Sequence, residues 1–325
     1  MPVIDVIPDP EARTITLTAE LAAPVERVWR AMTDPRQLER FWGPPTWPAT
    51  FTELDLRVGG TARYSMTGPN GEHAGGLWEF LEIDAPHGYT VLDHFVDEDG
   101  TELEGMPAMR MVLELSPTDA GTRMVTTHHF DSVEALEQVV AMGHVEGSTL
   151  AMNQLDRVLA GLREYAQGKG TQVELLTDTL VRITRLVEGP RELVWRAHHE
   201  EELLRRWMLG PDGWEMTYCS PATHAGESYR WGWRHVEGDG EEFGFEGEAL
   251  LIEAPRRAVT TERMAGTQGP TTTNDLTLTE EDGATLVTTV ITYPDRETRD
   301  TILATGMADG MEASYARLES TLASA

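Results

Sequence analysis

The chain has 325 residues, 40% hydrophobic and 25% charged, a balance typical of folded globular protein at about twice the common single-domain length. Its 55 acidic side chains outnumber 26 basic ones for a formal net charge of −29, which argues against nucleic acid and anionic membrane surfaces as partners. The single cysteine, Cys219, excludes an intramolecular disulfide and a thiolate metal cluster, no run of 18 apolar residues is available to insert in a membrane, and the opening MPVIDVIPDPEAR lacks a signal-peptide pattern, so a cytoplasmic protein is expected.

In chain order, Ile15, Leu17, Ala19 and Leu21 alternate with Thr14, Thr16, Thr18 and Glu20, the period of a half-buried strand. Pro24 then opens a helix in which Val25, Val28, Trp29 and Met32 share one apolar face. Asp34-Pro35 ends it and begins a short second helix through Leu38 and Phe41. From Phe51 to Phe130 the pattern predicts antiparallel strands separated by turns at Gly68-Pro69-Asn70-Gly71, Ala85-Pro86-His87-Gly88, Asp97-Glu98-Asp99-Gly100 and Asp119-Ala120-Gly121. After Asp131-Ser132, with Glu134 placed for capping, the chain reads as helix to about Tyr165, with a stripe of Val145, Leu155, Val158, Leu159 and Leu162. An antiparallel sheet with one solvated face needs a cover for the other, and that long helix is the candidate.

The chain then repeats itself. PVERVWRA at 24–31 meets PRELVWRA at 190–197, GPPTW at 43–47 meets GPDGW at 210–214, and EFLEIDAP at 79–86 meets EALLIEAP at 248–255. Gly143, Gly147, Leu155 and Leu159 meet Gly306, Gly310, Leu318 and Leu322. Four blocks in one order with drifting offsets indicate duplication followed by loop insertion and deletion. Two domains are expected, 1–165 and 172–325, joined by a linker at 166–171 around Gly168-Lys169-Gly170. Both are α+β, each a curved antiparallel sheet around its own C-terminal helix.

The runs PVERVWRAMTDPRQLERFWGP, VGGTARYSMTGPNGE, GLWEFLEIDAP and GTRMVTTHHF, with the later glycines, resemble the activator of heat-shock protein 90 ATPase homologue-like family, of the START-like (SRPBCC) helix-grip superfamily. The resemblance implies a helix-grip fold and a cavity for apolar or amphipathic small molecules, without fixing a reaction. The second repeat departs from the pattern: Val58-Gly59-Gly60 becomes His224-Ala225-Gly226, and Ala62, Tyr64 and Met66 become Tyr229, Trp231 and Trp233. Its hairpin at 237–242 is longer and more acidic.

No HExxH, CxxC, GxSxG or phosphate-binding glycine loop is present, so neither metal nor cofactor is expected. The ligand-binding candidates are Trp42, Tyr64, Met66, Trp78, Met111, His128 and Met152 in repeat one, with Trp214, Tyr229, Trp231 and Trp233 in repeat two. Trp is rarely buried without a partner for its N–H, and the Trp surplus of repeat two suggests an aromatic-walled pocket. His128 shares a strand face with Met124 and Thr126, and their matches Val287, Thr289 and Ile291 form a mostly apolar face, so His128 is expected inward as a core histidine, a ligand contact or a proton carrier. Asp93 and Glu262 occupy matching positions, and Asp93 either lines a cavity mouth or pairs with Arg110. His128 and Asp93 are the weak catalytic candidates.

Three functions compete. Binding of a hydrophobic or aromatic small molecule, for carriage, sequestration or sensing, leads because no His–Asp–Ser set converges. A cyclase, dehydratase or hydrolase acting on an aromatic or polyketide-like substrate comes second. A chaperone-cofactor module binding a protein partner comes third, since the family's eukaryotic activators carry an additional N-terminal domain. Repeat one, with Tyr64, Trp78, Met111, His128 and Met152 on its wall, is expected to hold the larger cavity. Exchanging Met66 for Trp should therefore weaken binding more than exchanging Trp233 for Met.

Overall fold

The computed structural model describes residues 3–69, 72–97, 100–210, 213–237, 240 and 242–323. An edge strand that the alternation does not single out, β1 (Val3–Asp9), pairs antiparallel with β2 (Thr14–Leu21), whose Ile15, Leu17, Ala19 and Leu21 are buried as their spacing predicts. Pro24 precedes α1 (Val25–Thr33), and the Asp34 side chain caps α2 (Pro35–Leu38) by accepting from the Arg36 N–H at 2.9 Å. A five-strand meander follows: β3 (Ala49–Leu54), β4 (Thr61–Thr67), β5 (His73–Asp84), β6 (Gly88–Val96) and β7 (Met109–Thr118). β8 (Gly121–His129) then returns beside β2, giving an eight-stranded antiparallel sheet of order β1-β2-β8-β7-β6-β5-β4-β3.

The C-terminal helical stretch of domain one is broken into α3 (Val133–Ala141), α4 (His144–Met152) and α5 (Leu155–Leu159). Ser132 caps α3, and Gly143 ahead of α4 takes φ 84°, the left-handed region where a side chain is strained. Leu155 and Val158 of α5 are fully buried.

The chain divides into compact units Met1–Gly161 and Leu162–Ala325. The short α6 (Leu162–Ala166) lies against strands of the second unit, where Arg163 bonds Glu188 at 2.7 Å and the Asp282 carbonyl at 2.9 Å. The division thus falls ahead of the glycine-rich 166–171 stretch. Domain two then repeats the order: β9 (Gln172–Leu175), β10 (Leu180–Glu188), α7 (Arg191–His199), α8 (Glu201–Trp207), β11 (Trp214–Ser220), β12 (Ser228–His235), β13 (Glu242–Glu253), β14 (Arg257–Met264), β15 (Thr272–Glu281) and β16 (Ala284–Thr292). Its sheet runs β11-β12-β13-β14-β15-β16-β10-β9, the same topology. After α9 (Arg296–Leu303), Gly306 at φ 81° repeats the Gly143 turn, but α10 (Met307–Leu322) then continues unbroken for 16 residues.

The core of domain two gathers Val187, Val194, Leu204, Leu278, Val287 and Leu318 between sheet and helices. Each such side chain contributes about 1.5–3 kcal/mol when fully buried. Arg185 on β10 reaches across to Glu312 at 3.0 Å and Glu319 at 3.4 Å, tying α10 to the sheet. The turn positions Asn70, Gly71, Glu98 and Asp99, the hairpin positions Gly238, Asp239 and Glu241, and Pro211 and Asp212 of the GPDGW block lie outside the described residues. No described helix is long and apolar enough to cross a membrane.

Candidate functional site

Sheet register decides which side chains meet on each inner face. In domain one, Tyr89, Val91 and Asp93 of β6 lie opposite Leu113, Met111 and Met109 of β7. Leu113 and Met111 lie in turn opposite Thr126 and His128 of β8. All of these are buried. Beside them is a continuous aromatic cluster. Trp42 sets its edge against Trp78 at 4.8 Å and Tyr64 at 5.9 Å, while Tyr64 and Phe51 stack at 5.3 Å. Trp78, fully buried, also touches Phe80 at 6.3 Å and Tyr89 at 6.1 Å. Such contacts hold rings at specific angles and fill volume.

Asp93 sits under this cluster at 4% exposure. The Tyr64 hydroxyl is 3.4 Å from each of its oxygens, a long and shared contact. Burial pushes the Asp93 carboxyl up to about 7, opposed by the Trp78 indole and the Tyr64 hydroxyl. The Trp78 N–H feels that carboxylate without forming a well-shaped hydrogen bond, and it is buried with no bonded partner, as is the Tyr89 hydroxyl. The expected alternative pairing of Asp93 with Arg110 does not occur: Arg110 is exposed on the opposite face of β7 from Met109 and Met111.

His128 is inward and buried, as the apolar face of repeat two suggested, with its Nδ1 lacking a partner. Its ring meets His144, the first residue of α4, at 4.8 Å and 75°. Burial holds His128 well below the ordinary imidazole range and His144 down to about 4, so both are neutral near pH 7. The positions matching His128 and His144 in domain two are Ile291 and Met307, which pack together with Val181 and Ile183.

The inner face of domain two follows the same register with different contents. Ala258, Thr260 and Glu262 of β14 lie opposite Leu276, Asn274 and Thr272 of β15, and Leu276 and Asn274 lie opposite Thr289 and Ile291 of β16. Row by row, Tyr89-Leu113-Thr126 becomes Ala258-Leu276-Thr289, and Val91-Met111-His128 becomes Thr260-Asn274-Ile291. Asp93-Met109 becomes Glu262-Thr272. Bulky residues give way to small or polar ones, and Thr260, Glu262, Thr272, Asn274, Leu276 and Thr289 are only half-buried. The inner rows of domain two are therefore less fully buried than those of domain one. Domain one fills its rows with Tyr89, Met109 and Met111.

Around Glu262, the Tyr229 hydroxyl lies 3.2 Å from the carboxylate and donates to the Thr261 carbonyl at 2.7 Å. Burial raises the Glu262 carboxyl, opposed by Tyr229 and Asn274. Burial and the nearby Glu262 charge keep the Tyr229 phenol far above its ordinary value, hence protonated. On the helical side Tyr315 stacks on Trp207 at 6.0 Å, with His198 5.0 Å from Trp207. Burial lowers His198 to about 4.

Across β4 and β5, Ala62 lies opposite Trp78; across β12 and β13, Tyr229 lies opposite Gly247. Large and small have changed places. A Cβ on Gly247 would lie 1.8 Å from the Thr261 carbonyl oxygen and 2.9 Å from the Tyr229 ring, so only glycine fits. The tyrosine that reaches the acid in domain two thus stands at the Ala62 position, while Trp231 is the register match of Tyr64.

Of the candidates, the structure brings Trp42, Tyr64 and Trp78 together, with Asp93 beneath. Met111 is the cross-strand neighbour of His128. Met152 is buried on α4, and Met66 is half-buried opposite Ala49. In domain two Tyr229 and Trp231 meet at 4.4 Å. Trp233 stacks on Phe243 at 5.0 Å and donates to the Met208 carbonyl at 2.9 Å, and Trp214 packs on Phe243 at 4.8 Å. These last two form a separate group at the β11–β13 side. Arg230 and Arg234 point outward to Glu246 and Glu215, leaving the aromatic face inward. Sequence reasoning missed Tyr89 and His144 in domain one, and Asn274, Tyr293 and Tyr315 in domain two. The repeat offsets carried a signal for them, because Met111 against Asn274 and His144 against Met307 change polarity at matched inward positions. Among the described residues no group of three His, Cys, Asp or Glu could hold a metal ion.

A family model described as Activator of Hsp90 ATPase homolog 1-like protein matches residues 22–160 and 188–323. Among solved structures, protein Ms6760 from Mycobacterium smegmatis is 47% identical, covering 48% of this chain and 95% of its own, with a TM-score of 0.46. A protein from Arthrobacter aurescens is 41% identical, covering 51% and 96%, with a TM-score of 0.48. One from Rhodobacter sphaeroides is 29% identical, covering 48% and 100%, with a TM-score of 0.45. No curated protein matches the chain.

Proposed function

The chain belongs to the activator of Hsp90 ATPase homolog 1-like family, and on that premise we propose that it binds a small molecule with an apolar or aromatic body on the inner face of domain two. One observation carries the reading: Thr260, Glu262, Asn274, Leu276 and Thr289 point into the fold from three adjacent strands yet stay half-buried. Their counterparts in domain one are buried by protein. An inward surface that the protein does not fill itself is available to a ligand, and a few polar groups on an otherwise apolar wall suit orientation of that ligand.

Carriage, sequestration or sensing is favoured over catalysis. Glu262 has for company a phenol held protonated, with no nucleophile activated beside it. Action in the cytoplasm is part of the same proposal, supported by the strongly acidic composition and the single, buried, unpaired Cys219.

Native mass spectrometry of the purified full chain tests the reading. A small molecule that co-purifies and whose removal raises hydrogen exchange in β14–β16 is the expected result. A ligand-free chain whose β14–β16 exchange is unchanged by every member of a panel of aromatic compounds would rule it out.

A further inference from the structure

Two acceptors meet on the inner face of domain two: Glu262, which accepts from neutral donors alone, and Asn274 Oδ1, which has no donor. Glu262 and Asn274 sit on neighbouring strands, paired respectively with Thr272 and Thr260, so their side chains are diagonal neighbours on one face. The Tyr229 hydroxyl has one proton, and its 2.7 Å bond to the Thr261 carbonyl leaves Glu262 a minor share at 3.2 Å. Asn274 interacts with the Glu262 carboxylate through its amide nitrogen, since two acceptor oxygens would repel. Its Oδ1 then faces away, buried and without a partner. Just past the end of β16, the Tyr293 hydroxyl is also buried and unpartnered.

Among the described residues no cation pairs with Glu262. The inward Arg185 is engaged by Glu312 and Glu319, and Arg299 by Asp300 and the Thr177 carbonyl. A carboxylate held partly out of water without a counter-charge is destabilised, and a bound cation offsets that. A neutral acceptor such as a ketone would leave Asn274 Oδ1 as it is; an ammonium group, with three donors and no acceptor, answers both oxygens at once.

We infer that the domain-two site takes an organic cation, a protonated amine that donates to the Glu262 carboxylate and Asn274 Oδ1 while its apolar body lies along Leu276 toward Tyr315. This deepens the function proposed above and rests on it. In domain one the equivalent acid, Asp93, has Met111 where Asn274 stands, so the second acceptor is missing there.

Matched probes separate the two levels of the idea. Calorimetry on the full chain at 150 mM salt compares 2-phenylethylamine with 2-phenylethanol, and tryptamine with indole-3-ethanol. The amine of each pair should bind roughly tenfold tighter, as charge-assisted hydrogen bonds outweigh neutral ones. Glu262→Gln should erase that preference, so that amine and matched alcohol bind alike. Asn274→Leu should narrow the amine-over-alcohol ratio several-fold, and it reads the same site if the first variant fails to fold. Alcohols that bind as tightly as amines and protect β14–β16 would overturn the amine assignment while the pocket stands. Amine preference that survives both variants would trace to the chain's net negative charge and overturn it equally. Failure of all four probes to bind would remove the pocket and the assignment together.

Discussion

The inner faces of the two domains share strand order and register but differ in how they are filled. Domain one spends its interior on side chains: Tyr89, Met109, Met111 and an aromatic cluster centred on Trp78 close the concavity. Domain two places Ala258, Thr272 and Asn274 at those points, with long residues confined to the flanks. The difference teaches that a helix-grip frame tolerates either a packed or an open interior, because backbone pairing and the edge contacts of the helices fix the fold independently of the central rows.

If domain one is packed and domain two open, the largest contrast is expected on removing a central ring. Trp78→Ala should cost about 3–5 kcal/mol, read as lost hydrogen-exchange protection across β5–β8 of the full chain. Trp231→Ala, at a half-buried site, should cost at most half as much in domain two. Equal losses would mean the two interiors are equally full.

The buried acid gives the next effect. Asp93 takes up its proton near pH 7 in the folded chain against an ordinary value of 3.8. Below pH 4 it is protonated in both states; from about 4 to 7 the unfolded chain alone ionises, so stability falls by about 1.4 kcal/mol per pH unit and levels off above 7. His128 and His144 act in the opposite sense, losing stability as pH falls below 6.5. The Asp93 contribution is therefore read as the difference between the parent chain and Asp93→Asn. That difference should grow from pH 4 to 7 by a few kcal/mol in favour of the variant. A flat difference would place Asp93 in contact with solvent.

Giving domain one the residues of domain two at the imidazole pair, His128→Ile with His144→Met, should stabilise it by about 1–3 kcal/mol by removing a buried unpartnered nitrogen. Destabilisation on thermal unfolding would show that the pair is satisfied by something bound. The reciprocal transplant, Asn274→Met, should change stability by no more than about 1.5 kcal/mol. It should nonetheless slow exchange in β14–β16, because the added side chain closes the opening.

Much of this was legible in the residues. Alternation from Ile15 to Leu21 located β2 and its inward face, and the apolar match of repeat two correctly turned His128 inward. Gly143 and Gly306 match in the sequence, and both take the same left-handed turn. The short edge strands β1 and β9 were not singled out, since outer strands lack the regular burial that creates alternation. The break after α4 was also hidden, because helical periodicity survives a kink. The contents of the inner rows were harder to read. Trp233 and Trp214 pack with Phe243 to one side, and what sets the inner rows of domain two apart is Ala258, Thr272 and Asn274, residues too ordinary to attract notice singly. Register, which sequence does not display, makes them one row after another.

The exchange of Ala62 and Trp78 for Tyr229 and Gly247 also has a historical consequence. Both copies descend from one arrangement, and single substitutions between them must pass through a strand pair with two large side chains or two small ones. The two-large intermediate is blocked in the domain-two frame, where even a methyl group at Gly247 would collide with backbone at 1.8 Å. The small-small intermediate only opens a hole, which costs stability but can be survived. Whichever arrangement came first, the route between them therefore runs through the small pair, so the two copies are separated by a state less well packed than either.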